Sequence, residues 1–213
     1  MGKTFDTSFC FLLMILGSMS ANAQNATKIK WLTFEQVEAL RVEQPRKKIM
    51  VDLYTDNCAF CRKLDLSTFQ NEFISHYLNE NFFPVRFNAQ FKKDIIFDKK
   101  LFKLDNSGYH ELAIVLSLGD LGFPTLVFLD EDNQIIQPIQ GYQTVDELER
   151  IMYYFANDIY LNTPWNEFVS RFKPTNSKPK MEFHKSEMIP PTISPSAETI
   201  KKKNCSCLKE LKS

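Results

Sequence analysis

Between residues 33 and 54 the chain passes from an amphipathic stretch into an almost continuous apolar run. Thr33 and Gln36 have the spacing of a capping box, which predicts a helix over residues 34 to 43 that Pro45 ends. The run "KKIMVDLYT" that follows has few polar positions and does not alternate. This pattern indicates a strand that is buried on both faces, as in the middle of a sheet covered by helices.

Residues 58 to 119 repeat this alternation of helical and strand patterns. A helix is expected to begin at Cys58, and a second covers residues 71 to 79, where apolar positions have helical spacing. The segment "FFPVRFN" predicts a strand. Two short apolar runs around a polar centre predict a small β-hairpin over residues 94 to 104, and a helix over residues 109 to 118 is closed by Gly119.

The last patterned region predicts two antiparallel strands, a helix and a short amphipathic segment. "TLVFLDEDNQIIQ" contains two apolar runs separated by a turn at residues 131 to 133. Thr144 and Glu147 form a second capping box that opens a helix, and a short amphipathic segment over residues 165 to 172 is expected to dock on the domain. The apolar stripe after the second capping box consists of Leu148, Ile151, Met152, Phe155 and Ile159. The order of elements predicts one α/β domain with a central mixed β-sheet flanked by helices.

Composition supports a folded domain and gives no sign of a nucleic-acid partner. The chain has 213 residues, of which 44% are hydrophobic, which is enough for one buried core with extensions. Lys and Arg together number 26 and so do Asp and Glu, so net charge offers no argument for binding nucleic acid or an anionic membrane.

The first 23 residues have the layout of a signal peptide. Lys3 precedes an apolar run from Phe9 to Leu16, and Ala21-Asn22-Ala23 fits a cleavage site after Ala23. A membrane anchor is the alternative, but the run is much shorter than the roughly 20 residues that span a bilayer. We therefore expect an exported protein, periplasmic or secreted, with no stable membrane span after cleavage.

After Pro174 the composition changes to one rich in Lys, Pro and Ser. Such a segment has too little apolar surface to fold alone, so residues 174–213 are expected to form a flexible tail and residues 24–173 the domain. The tail carries Cys205-Ser206-Cys207. This pair is either a relay for electrons to and from Cys58 or a surface thiol pair that oxidises incidentally or crosslinks chains.

Cys58 and Cys61 lie in the segment "TDNCAFCRKLD" as a CxxC pair. Only a thiolate attacks a disulfide, and an ordinary cysteine with a pKa near 8.5 is about 3% ionised at pH 7. If Cys58 caps a helix, the positive end of the helix dipole stabilises its anion by up to about 2 kcal/mol. Cys61, one turn later, then has the spacing to attack a mixed disulfide formed at Cys58. The pair is thus a candidate nucleophile and resolving thiol.

Two other roles for the pair are possible. It could be half of a zinc site, but the other half would have to come from Cys205 and Cys207, and the three histidines show no ligand spacing near either pair. It could also be a purely structural disulfide, although so short a loop adds little stability. We expect no metal and no cofactor.

Asp52 and Pro124 add to the case for redox chemistry. Asp52 interrupts the apolar strand six residues before Cys58, where an ionised carboxylate is costly unless it is neutralised, paired or used. It is a candidate for moving the proton of Cys61; the alternative is a carboxylate turned to solvent at the strand end. Pro124 directly precedes a strand, so it belongs at the strand's start or in a special turn. The sequence leaves the Phe123-Pro124 bond open between cis and trans.

Together, "IMVDLYTDNCAFCRKLD", "FFPVRFN", "GFPTLVFLDEDNQII" and a later "GY" resemble the thioredoxin superfamily, over residues 30 to 160. The resemblance implies a thioredoxin fold with a hairpin insertion. It also implies Cys58 as nucleophile, Cys61 as resolving thiol, Asp52 as the buried proton-transfer carboxylate and Phe123-Pro124 as a cis-proline loop that binds an extended substrate segment. Arg86 stands where relatives often carry a Lys near that carboxylate.

The sequence departs from the family pattern on the surface that meets partners. Asn57 replaces a common Trp, and Ala59-Phe60 replaces the usual Gly-Pro. With Phe123 and Thr125 these residues are the candidate substrate-binding set. The resemblance therefore implies the chemistry and leaves the identity of the substrate open.

The sequence thus predicts an exported thiol-disulfide oxidoreductase. Its partners would be protein substrates with thiols or disulfides, and a redox donor or acceptor protein. The strand carboxylate favours a reductase, while oxidase and isomerase remain open because no potential can be derived from the residues between the cysteines. The alternative is a binding or chaperone-like module that keeps the fold with a redox-silent CxxC.

Overall fold

In the computed structural model, which describes residues 28–175, six strands form two sheets. They are β1 (Lys48–Tyr54), β2 (Phe82–Asn88), β3 (Ile95–Phe97), β4 (Lys100–Phe102), β5 (Thr125–Leu129) and β6 (Ile135–Gln140). The main sheet has the order β2-β1-β5-β6, with β1 parallel to β2, antiparallel to β5, and β5 antiparallel to β6. The predicted mixed sheet is therefore confirmed, and so is the α/β class.

Six helices surround this sheet. They are α1 (Phe34–Arg41), α2 (Ala59–Leu66), α3 (Glu72–Asn81), α4 (Glu111–Leu116), α5 (Val145–Ala156) and α6 (Trp165–Arg171). One face of the sheet packs with α1, α4 and the β3-β4 hairpin, and the other with α2, α3, α5 and α6. Helices on both faces bury the sheet as the sequence predicts.

β1 runs through the centre of the fold because its side chains are apolar on both faces. Val51 and Leu53 belong to the core on the α1 side, and Met50 belongs to the core on the α2 side, and all three are fully buried. Since side chains alternate along a strand, Asp52 lies on the same face as Met50, beneath α2. The strand thereby places a carboxylate under the helix that carries the cysteines.

Both predicted capping boxes are present. The Thr33 side chain accepts a hydrogen bond from the Gln36 backbone, and the Gln36 side chain accepts one from the Thr33 backbone at the start of α1. Thr144 and Glu147 do the same at the start of α5. A cap of this kind contributes about 1 kcal/mol, because it satisfies backbone donors that the helix cannot.

The predicted hairpin also forms. β3 and β4 pair antiparallel, with Ile95 opposite Phe102, and Ile95 and Phe97 are buried against the domain. The hairpin lies between β2 and α4 in the chain and packs on the α1 side of the sheet. It forms a two-stranded sheet separate from the main sheet.

α1 ends at Arg41, two residues before the predicted end, and α4 and α5 are also shorter than the sequence predicts. α4 begins at Glu111 because His110 is extended and its ring nitrogen Nδ1 accepts the Leu112 N–H at 3.2 Å. The helix ends before Leu118, which has a left-handed φ of 55°. α5 ends at Ala156, and Ile159 of the predicted stripe lies in a separate 3₁₀ turn after the left-handed Asp158.

Some predictions concern residues outside this part of the chain. The signal peptide at residues 1–23, the tail beyond residue 175 and the pair Cys205 and Cys207 lie outside the described residues, so the domain boundaries stay predictions. Within residues 28–175, the structure contains no helix with the length and apolar character needed to cross a bilayer.

Candidate active site

Cys58 and Cys61 form a disulfide at the beginning of α2. The S–S distance is 2.11 Å and the two Cα atoms are 5.2 Å apart. Cys58 is half-buried, while Cys61 is only 4% exposed and faces the sheet together with Leu64. The two sulfurs therefore differ in access: a substrate can reach the first, and the second is covered.

Cys58 is the N-cap residue of α2. Its backbone is extended, with φ −79° and ψ 110°, and its Sγ accepts the Cys61 backbone N–H at 3.0 Å. The first turn of a helix leaves its N–H groups without intrahelical partners, and the helix dipole adds a partial positive charge there. A sulfur in this position is stabilised as an anion. The predicted capping role of Cys58 is thus present in the geometry.

Asp52 is buried rather than turned to solvent. Its exposure is 1%, and its register partners are Arg86 on β2 and Leu126 on β5. Burial raises the pKa of Asp52 to about 7; the Arg86 charge opposes this rise and the Asp65 charge adds to it. A carboxyl group that titrates near neutrality is suited to accept and return a proton.

The cation opposite Asp52 is shared with a second carboxylate. Arg86 Nε lies 3.6 Å from Asp52 Oδ2, and Arg86 Nη2 donates to Asp65 Oδ2 at 2.5 Å. The guanidinium also lies over the rings of Tyr54 and Trp31, with its carbon 4.5 and 5.7 Å from their centroids. Sequence reasoning identified Arg86 and missed Asp65. The signal was available: Asp65 lies four residues after Cys61, which places both on one side of α2.

The Phe123-Pro124 bond is cis, which the sequence left open. Pro124 is buried and its carbonyl accepts the Gly141 N–H at 2.8 Å, while Phe123 is half-buried and stacks on Tyr109 with centroids 5.9 Å apart. Thr125 is fully buried, and its hydroxyl donates to the Gly122 carbonyl at 2.7 Å. The Thr125 side chain supports the loop from inside and does not reach the surface.

The other candidate substrate-binding residues lie on the surface around the disulfide. Asn57 and Ala59 are exposed, and Phe60 is 60% exposed despite its apolar ring. The loop after β6 contacts the opposite end of α2: the Tyr142 hydroxyl lies 3.0 Å from Ser67 Oγ, and Lys63 Nζ lies 4.2 Å from the centre of the Tyr142 ring. An exposed aromatic ring next to a reachable sulfur is suited to contact a protein substrate.

The site has the parts needed for disulfide exchange. One sulfur is accessible and held at a helix N-terminus, a second is covered beside it, and a buried carboxylate lies under the same helix. No group of three or more potential ligands in residues 28–175 could hold a metal ion.

Comparison with known proteins gives a family match. A family described as the thioredoxin-like domain matches residues 36–156, more than half of the chain. A search of curated proteins gave no match.

Three of the solved structures that this chain is similar to have low sequence identity to it. A thioredoxin-fold protein from Helicobacter pylori is 16% identical, with 59% of this chain and 79% of that chain covered and a TM-score of 0.47. A thioredoxin from Thermus thermophilus is 14% identical, with 60% of this chain and 87% of that chain covered and a TM-score of 0.45. A putative disulphide-isomerase from Bacteroides thetaiotaomicron is 18% identical, with 62% of this chain and 96% of that chain covered and a TM-score of 0.44.

Proposed function

The chain belongs to the thioredoxin-like domain family, and from this premise we propose that it is an exported thiol-disulfide oxidoreductase that reduces disulfides in other proteins. The observation that carries the proposal is the Cys58–Cys61 disulfide at the N-terminus of α2. Cys58 is the nucleophile because its sulfur is the accessible one. Cys61 is the resolving thiol because it is covered and adjacent.

The first step is attack by Cys58. In the reduced protein, the Cys58 thiolate attacks one sulfur of a substrate disulfide, forms a mixed disulfide and releases the other substrate sulfur as a thiolate, which takes up a proton from water. The helix N-terminus lowers the pKa of the attacking thiol, so that a useful fraction is ionised near neutral pH. The rim formed by Asn57, Ala59, Phe60 and Phe123 contacts the substrate segment around the disulfide.

The second step is release of the substrate by Cys61. Asp52 takes the proton of the Cys61 thiol, and the resulting thiolate attacks Cys58 Sγ. The bond between Cys58 and the substrate breaks, the Cys58–Cys61 disulfide forms, and the second substrate thiolate leaves and is protonated. The substrate gains two electrons and two protons overall, and the cysteine pair loses them.

A reductase of this kind needs a donor to complete the cycle. The oxidised Cys58–Cys61 pair accepts two electrons from a reducing thiol protein through the same exchange run in reverse. Export is supported by residues 1–23, whose layout is that of a signal peptide, and the compartment would be the periplasm or the exterior of the cell. The partners are therefore proteins with accessible disulfides and a donor protein in that compartment.

Trapping of mixed disulfides tests this proposal. Cys58→Ser should abolish reduction of a protein disulfide. Cys61→Ser should accumulate covalent complexes with substrate proteins, because the first step proceeds and the second cannot. The double variant Cys205→Ser,Cys207→Ser is the matched control, and full turnover in that variant would also exclude a relay through the tail. If substrate proteins bind equally well to both active-site variants without covalent complexes, the chain is a binding module and the proposed activity is wrong.

A further inference from the structure

Arg86 carries one positive charge and faces two carboxylates. It lies directly opposite Asp52 in the parallel register of β1 and β2, so the two side chains are on the same face of the sheet. Even so, its short hydrogen bond, 2.5 Å, goes to Asp65 on α2, and its distance to Asp52 Oδ2 is 3.6 Å. Among the described residues, neither Arg86 Nε nor Asp52 Oδ1 has a hydrogen-bond partner. Arg86 Nε and Asp52 Oδ1, a donor and an acceptor on neighbouring strands, thus lack a hydrogen bond that they could make with each other.

We propose that Asp65 is a positioning residue: it holds the Arg86 guanidinium away from hydrogen-bond contact with Asp52 and so leaves Asp52 able to take the proton of Cys61. The inference rests on the proposed function, because it says that Asp65 affects how readily Asp52 accepts the Cys61 proton in the second step. Arg86 is half-buried and faces a buried carboxylate, yet its short hydrogen bond goes to Asp65.

The neighbours of Arg86 limit the positions that its guanidinium can occupy. The rings of Tyr54 and Trp31 contact the guanidinium, and Arg86 is 28% exposed while Asp65 is 27% exposed. A guanidinium offers several donors in one plane, so it can bond Asp65 alone, or turn toward Asp52 when Asp65 releases it. The presence of Asp65 therefore determines whether the Arg86 guanidinium bonds Asp65 or turns toward Asp52.

Both protonation states of Asp52 are accommodated by this arrangement. When Asp52 takes the Cys61 proton it becomes neutral, and Arg86 keeps Asp65 as its charged partner. When Asp52 is ionised, Arg86 is near enough to attract it without a direct hydrogen bond. Without Asp65, Arg86 would have only Asp52 as a carboxylate partner and would favour the ionised form of Asp52. Asp65 thus lowers the cost of protonating Asp52 near neutral pH, where burial already raises the pKa of Asp52 to about 7.

The charged and titratable groups around Asp52 in the described residues come from three elements. β2 supplies Arg86, α2 supplies Asp65, and β1 supplies Tyr54, whose ring contacts the guanidinium. The disulfide above them does not titrate while it is closed. A measurement on the oxidised protein therefore reports on Asp52 without interference from the cysteines.

The test is a carbon NMR titration of the Asp52 carboxyl group in the oxidised full-length protein. Asp65→Ala removes the acceptor and frees Arg86, so the Asp52 midpoint should fall by about one pH unit, and Asp65→Asn, which keeps an amide oxygen but loses the charge, should move it the same way. Asp65→Glu restores a carboxylate and should return the midpoint toward the wild-type value. An unchanged or higher midpoint in Asp65→Ala would overturn the inference.

A nearby carboxylate provides the matched control. Asp56 lies two residues before Cys58, is exposed and accepts a hydrogen bond from Asn88 Nδ2 at 3.0 Å, and it makes no ion pair with Arg86. Asp56→Asn should leave the Asp52 midpoint unchanged, and an equal shift there would show a general charge effect and contradict the positioning role. Because the titration does not involve turnover, an unchanged midpoint refutes this inference alone, whereas retained exchange in Cys58→Ser refutes the proposed function.

Discussion

The backbone N–H of Cys61 donates to the sulfur of Cys58 at 3.0 Å across the first turn of α2. A sulfur anion is a better acceptor than a neutral thiol, so the same contact favours the thiolate once the disulfide is reduced. The unpaired amides of the helix start act in the same direction. The relationship between these two residues therefore underlies the reactivity of the site.

The first prediction concerns the ionisation of Cys58. In reduced protein with Cys61→Ser, the pKa of the Cys58 thiol should be roughly 1.5 units below the ordinary 8.5. The ultraviolet absorbance of the thiolate against pH measures this, with the chain unfolded in denaturant as the reference. A folded midpoint at or above 8.5 would show that the helix start does not stabilise the anion.

The second prediction links Asp52 to stability. An unfolded Asp releases its proton near pH 3.9, and burial raises the pKa of Asp52 in the folded protein to about 7. Between these pH values the folded state binds more protons, so its stability falls as pH rises through this window and then levels off. Asp52→Asn avoids this loss. The oxidised variant should exceed wild type by roughly 4 kcal/mol in free energy of unfolding above pH 7.

The measurement is denaturant unfolding of oxidised wild type and variant at several pH values from 3.5 to 8. At the acid end the two proteins should have similar stability, because Asp52 is protonated in both folded and unfolded wild type. Asp132→Asn, which changes an exposed carboxylate, is the control and should follow the wild-type curve. A stability difference between Asp52→Asn and wild type that does not vary with pH would contradict the raised pKa.

The third prediction is that this more stable variant is the slower enzyme. Release of substrate from the mixed disulfide needs ionised Asp52, so in wild type its rate should fall as pH drops below about 7. Asp52→Asn should release substrate more slowly by about 10²-fold and should lose this pH dependence. Quenched-flow measurement of the mixed disulfide gives the rate. Wild-type release rates in the variant would remove Asp52 from the mechanism.

The fourth prediction concerns the exposed ring of Phe60. Phe60→Ala should lower kcat/KM for a protein disulfide by about five-fold, because part of its apolar surface is buried only when a substrate binds. A small-molecule disulfide should be reduced at the wild-type rate. Leu66→Ala is the matched control, because Leu66 is 80% exposed at the other end of the same helix. Equal losses on both substrates would mean that Phe60 acts on the chemistry and not on docking.

Local pattern was enough to predict most of the fold. The interrupted apolar run around Asp52 indicated a central strand, and the structure places that strand between two others with both faces covered. The capping boxes at Thr33 and Thr144 set the starts of two helices. These signals are local because each one depends on residues within a single turn or strand.

Features that depend on contacts far apart in the chain were not predictable in this way. The bond between Arg86 and Asp65 joins residues 21 positions apart, and the cis state of Phe123-Pro124 depends on the loop that surrounds it. The end of α5 is another case: Asp158 pairs with Lys48 at 2.8 Å, which ties the segment after the helix to the start of β1. Sequence spacing can indicate candidate partners, but the tertiary fold determines which of them are in contact.

Redox titration of the Cys58–Cys61 pair tests the central claim most directly. The short helix α2 stabilises the Cys58 thiolate only moderately, so the reduced form of the pair is not strongly favoured and the pair should be a reductant. Equilibration with glutathione or thioredoxin buffers, followed by thiol labelling of the Cys205→Ser,Cys207→Ser variant, should give a potential near −270 mV, at the reducing end of the range of about −270 to −120 mV for such pairs. A value near −120 mV would contradict the reductase, and a pair that never equilibrates would contradict redox function altogether.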